Sequence, residues 1–168
     1  ILVQTVHDLP TVSVRGFVNG GSGLDTASMA GRSELLTGSL EQRVTNHPLW
    51  PDSALDLRLI SSNSYISIEG WTPKDALDDW FEILTSALSP QAITTENLEA
   101  ARALQNAKWI SDATDADTVA YQKWLSLLYN ADHPLGRSGL DTKVSADQLS
   151  LISINQHWAK VCRPNRLV

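Results

Sequence analysis

Apolar positions change their spacing repeatedly along the chain, and each change predicts an element. From Thr11 to Val18 they alternate. Val12, Val14 and Val18 share one face with Gly16, and Ser13, Arg15 and Phe17 share the other, as in a half-buried strand. Asn19-Gly20-Gly21-Ser22-Gly23 ends this run, because glycine accepts backbone angles that other residues resist. The period then turns helical. Leu36, Leu40 and Val44 recur every four residues, with Asp25, Thr26 or Ser28 placed to cap the helix. Pro48 and Pro51 put residues 45–53 in a loop. Leu55, Leu57 and Leu59 then alternate with Asp56, Arg58 and Ile60, and Tyr65–Trp71 sets Ile66 and Ile68 on one face. The short link Ser61-Ser62-Asn63-Ser64 joins these two strands as an antiparallel hairpin.

Helical spacing dominates the rest. The next helix is predicted with Thr72 as cap, Pro73 as first residue and Asp75 in an acidic first turn. Its stripe is Leu77, Trp80, Phe81, Leu84 and Leu88, and Pro90 stops it. That regular spacing reads Trp80 and Phe81 as core rather than as a binding patch. Thr94 or Thr95 begins an alanine-rich helix reaching about Ile110. The acidic stretch Asp112–Asp117 breaks it. Lacking the glycine and terminal Glu of a calcium loop, this stretch reads as a capped turn. A further helix sets Tyr121, Trp124, Leu125 and Leu128 on one side. After the loop Asn130–Arg137, Ser145 and Gln148 form a capping box for a last helix, which presents Leu151, Ile154, Trp158 and Val161 and ends before Pro164. Strands early and helices late predict an α+β fold, an antiparallel sheet with helices packed on one face.

Length and charge narrow the function classes. A chain of 168 residues suits a single domain with its own core. A net charge of −6 and a pI near 5.0 argue against a non-specific nucleic-acid or anionic-membrane surface. No apolar run is long enough to span a membrane. Cys162 is the single cysteine, which excludes an internal disulfide. Both ends look cut: the chain starts at Ile1, and Asn165–Val168 reads like a strand just beginning. The expectation is a fragment of a longer protein, truncated at both ends.

Nothing local spells out a catalytic site. The histidines are His7, His47, His133 and His157, none within four residues of another and none paired with Cys162. A zinc helix needs two ligands on one face, typically one turn apart. The glycine-rich loop resembles a phosphate cradle, but the Gly-Lys-Ser/Thr ending is missing, which favours a plain strand-to-helix turn. Ser22 lacks the longer G-x-S-x-G elbow of a serine nucleophile.

The segments in their order resemble the insulinase/pitrilysin family of zinc metallopeptidases, the inverzincins. Leu9-Pro10 with the following strand and Gly21-Ser22 is similar to the family's opening strand and turn, and Ala30-Gly31 into Leu35-Leu36 to its first helix. His133-Pro134-Leu135-Gly136-Arg137 is similar to its H-P-L-G-R loop, and Gln148-Leu149 through Pro164-Asn165 and Leu167-Val168 to its ending. In active members the first helix carries H-x-x-E-H, whose histidines bind zinc and whose Glu activates water, and a later helix adds a Glu ligand. Aligned on Gly31 and Leu36, the first three places fall on Glu34, Thr37 and Gly38, and the later one on Lys108. All four depart from the pattern, and residues 8–46 contain no histidine.

The resemblance therefore implies a non-catalytic unit, with no catalytic residue, metal ligand or cofactor of its own. Zinc would sit in a catalytic half or subunit elsewhere. The implied role is chamber wall and peptide-substrate contact. The alternatives are a pseudo-peptidase scaffold or assembly subunit with no active domain in cis, and an unrelated enzyme with a serine or histidine site. Lys108 is further expected to pair with Glu34 or to be a solvated lysine.

Overall fold

A computed structural model describes residues 3–4, 9–50, 55–89, 93–137, 142–143 and 146–163. His7, Pro51, Pro90, Ser145 and the terminal residues 164–168 lie outside them, with the expectations placed on them. Three antiparallel strands form the sheet, β1 (Thr11–Asn19), β2 (Asp56–Ser61) and β3 (Tyr65–Pro73), in the order β1-β3-β2. Five helices stand among the described residues: α1 (Arg32–Thr45), α2 (Leu77–Leu88), α3 (Thr95–Thr114), α4 (Ala116–Leu128) and α5 (Leu151–Val161). The architecture is the α+β layering read from the sequence.

Alternation sorts the two sheet faces. Val18, Leu57, Leu59, Ile66 and Ile68 point into the core, where they meet Leu35, Leu36, Leu40 and Val44 of α1. The opposite face keeps Arg15 paired with Glu69 at 3.1 Å, and Phe17 edge-on to Tyr65 with ring centroids 5.1 Å apart. Trp80 is fully buried and donates its indole N–H to the Asp56 carbonyl at 3.0 Å, tying α2 to the start of β2.

Four expectations need correction. Thr72 and Pro73 do not open α2. They extend β3, where Thr72 faces Val12 and Pro73 faces Thr11, and a 3-10 turn at Lys74–Ala76 precedes the helix. The Thr-Pro signal loses to the ladder, since β1 supplies partners and the Lys74 N–H bonds the Pro10 carbonyl at 2.9 Å. Phe81 is 44% exposed, because the buried line of α2 runs through Trp80, Ile83 and Ala87. Helix α3 continues past Ile110 to Thr114, and only Asp115 interrupts it, accepting the Thr118 N–H at 2.9 Å to cap α4. The capped turn is real but shorter than read. The helix presenting Ile154, Trp158 and Val161 begins at Leu151, with Ser150 accepting the Ser153 N–H at 3.2 Å.

Thr94 caps α3 as read, through a reciprocal box with Asn97. Helix α4 buries none of its residues, so its apolar side faces outward.

Candidate functional site

The start of α1 is built by its preceding loop. Gly31 precedes the helix at φ 85°, a left-handed conformation that glycine adopts without strain, and its Cα faces Ala146 and Thr142. Asp25 supplies the capping acceptor from a distance. Its Oδ2 accepts the Ser33 N–H at 3.0 Å, and its Oδ1 accepts from Arg32 Nε at 3.0 Å. Thr26 and Ser28 bond each other instead, at 3.2 Å. Burial raises the Asp25 pKa, against the lowering effects of the Ser33 bonds and the Arg32 charge. Arg137 closes the assembly. Its Nη1 donates to the Asp25 carbonyl at 2.7 Å and its Nη2 to the Asp132 carbonyl at 3.1 Å, pinning the 130–137 loop beside α1.

Beyond this cap lies a cleft of about 410 Å³ between α1 and α3. Glu34, Thr37, Gly38 and Glu41 project from one face of α1, as their three- and four-residue spacing requires. Ala101, Leu104, Gln105, Lys108, Trp109 and Asp112 project from α3. The four positions singled out by the resemblance thus line one cleft: Glu34, Thr37 and Gly38 on one wall, Lys108 on the other.

Their chemistry is specific. The Thr37 hydroxyl bonds back to the carbonyls of Ser33 and Glu34 at 3.2 and 3.0 Å. Gly38 allows close helix approach, since a Cβ there would lie 3.2 Å from the Ala101 Cβ. That contact accounts for a mid-helix glycine that otherwise costs about 1 kcal/mol relative to Ala. Lys108 does not pair with Glu34. Its side chain is 70% exposed and reaches Asp112 at 2.6 Å. Burial raises the Glu34 pKa, with a smaller push from Asp25, and its buried Oε2 has no hydrogen-bond partner. Glu41, which the sequence reading did not single out, accepts the Leu59 N–H at 3.2 Å and anchors α1 to β2. Its helical spacing from Glu34, two turns on, was the signal available. Gln105 was also missed. Its Oε1 is buried without a partner, and nothing in an alanine-rich helix marks it.

These residues do not fit zinc. Only Glu34 offers a ligand among the four; a hydroxyl engaged with its own helix, a glycine and an ammonium complete the set. Among the described residues no group of three or more His, Cys, Asp or Glu is arranged to hold a metal ion.

No protein-family model matches the sequence, and no curated protein matches it. Solved structures do. The chain superposes on the peptidase M16 inactive domain from Pseudomonas fluorescens with a TM-score of 0.81 at 14% identity, over 97% of this chain and 41% of that one. The periplasmic protease PqqL from Escherichia coli gives a TM-score of 0.76 at 14% identity, covering 94% of this chain and 19% of that one. A chain of complex III2 from Candida albicans gives 0.73 at 20% identity, covering 96% and 37%. The sequence therefore spans well under half the length of each of these neighbours. At these identities the likeness concerns architecture, and the chain has the fold of an insulinase/pitrilysin-type, M16 peptidase unit.

Proposed function

We propose that the chain is a non-catalytic unit of an insulinase/pitrilysin-type zinc metallopeptidase. It contributes chamber wall and peptide contact to a catalytic half elsewhere in the protein, and zinc belongs to that half. One observation carries the reading. The positions matching the family's zinc site come together in a single α1–α3 cleft, and there they supply a carboxylate, a hydroxyl, a glycine and an ammonium. The fold neighbours agree in kind, since one is a peptidase M16 inactive domain and each is a longer chain. The likeness to a chain of complex III2 favours a second reading, an assembly subunit with no active partner in cis.

The test is direct. After dialysis of the chain against a weak chelator, zinc should remain far below one equivalent, and an unstructured peptide should stay intact. Stoichiometric zinc, or peptide cleavage that a chelator abolishes, would overturn the proposal. Gel-filtration co-elution with a subunit carrying H-x-x-E-H supports the peptidase reading. Stable assembly only with partners lacking that motif supports the scaffold.

A further inference from the structure

The α1–α3 cleft holds polar atoms that the described chain leaves unsatisfied. Glu34 Oε2 and Gln105 Oε1 are both buried acceptors without a partner. Buried acceptors left this way cost the full desolvation of the group, so they mark a place where a donor belongs. The charged ends of the cations near the cleft are engaged elsewhere, although Arg137 on the same lining keeps a buried Nε without a partner. Lys108 is held by Asp112 at 2.6 Å, Lys143 by Asp147 at 3.0 Å, and the Arg137 Nη atoms by two backbone carbonyls. The volume, about 410 Å³, falls in the range of small-ligand sites. Leu104, 62% exposed, and the indole of Trp109 add apolar wall to the same space.

We propose that this cleft binds a basic side chain, the guanidinium or ammonium group of an arginine or lysine in a peptide, with Glu34 and Gln105 accepting its N–H donors. A cation supplies donors only, which is what two orphan acceptors require. A charge-assisted bond to Glu34 also offsets the cost of burying that carboxylate. The alkyl stem of the ligand lies against Leu104 and Trp109, which cover apolar chain while the charged head reaches the acceptors. The peptide as source rests on the proposed peptide-contact role; the cation site itself does not.

Calorimetric titration of the chain separates the two. The probes are n-propylguanidinium, n-butylammonium and three otherwise identical soluble octapeptides with arginine, lysine or citrulline at the centre. The expected result is binding of both small cations and of the arginine and lysine peptides, with the neutral citrulline peptide at least about tenfold weaker. Glu34→Gln should weaken the basic peptides at least about tenfold. Lys108→Met, at an exposed position, should tighten them by freeing the Asp112 carboxylate that lines the same cleft, a gain that misfolding does not produce. Small cations that bind while basic peptides do not would leave the site standing and overturn the peptide source. No binding by any cation, citrulline binding equal to arginine, or an unchanged affinity in both variants would overturn the site.

Discussion

His157 is a buried histidine whose surroundings favour the neutral ring. It lies on α5, 5% exposed, with a buried Nε2 that has no partner. Burial first, then the charges of Arg32 and Lys160, push its pKa down to about 4. An unfolded histidine titrates near 6.5, so the unfolded state takes up a proton first as pH falls. The stability from keeping His157 neutral is therefore complete above about pH 6.5 and drains away toward pH 4. The loss reaches about 3 kcal/mol at one pKa unit per 1.36 kcal/mol. Urea unfolding of wild type and His157→Gln across pH 4–7 checks this: the variant should lose less stability over that window, and parallel curves would refute it. Raised carboxylate pKa values at Asp25 and Glu34 act with the opposite sign, because a buried acid that protonates in the fold gains stability as pH drops. Both curves carry those contributions equally, so the difference between them isolates His157.

At the scale of an element, α2 shows what periodicity reads and what it misses. Trp80 and Phe81 are adjacent, and both fit the stripe with Leu77, Leu84 and Leu88. A helix advances about 100° per residue, so neighbours cannot face the same way, and the spacing does not say which one faces in. Ile83 and Ala87 settle it by sharing the side of Trp80. Trp80→Ala should cost about 3–5 kcal/mol through the cavity and the lost bond to Asp56, whereas Phe81→Ala should stay under about 1.5 kcal/mol. Equal effects in denaturant titrations would show that the two rings contribute alike. The strands were legible for a simpler reason: alternation has only two phases, so Val18, Ile66 and Ile68 could point only one of two ways. The extension of β3 through Thr72-Pro73 was not legible, because it depends on β1, which lies some sixty residues earlier in the chain.

For the molecule as a whole, α4 is the helix whose apolar side the described residues leave uncovered. Its Tyr121, Trp124, Leu125 and Leu128 stripe was read as one apolar side, yet Trp124 is 53% and Leu128 57% exposed, and Leu127 beside them is 75% exposed. Sequence spacing reports that a face is apolar and cannot report whether anything within the chain covers it. The double variant Trp124→Gln with Leu127→Gln should leave Tm within about 2 °C in a thermal melt, since exposed substitutions seldom shift stability by more than ~0.5 kcal/mol. A large fall in Tm would place those side chains in the core. The cleft was legible in part: family spacing gathered Glu34, Thr37, Gly38 and Lys108, but the partners of Lys108 and the orphaned Gln105 depend on how α1 and α3 cross. That crossing also limits what position 38 can carry. Because a Cβ at position 38 would lie 3.2 Å from the Ala101 Cβ, an imidazole there would meet the neighbouring helix before it met a metal. A side chain introduced at position 38 therefore requires α3 to give way at Ala101.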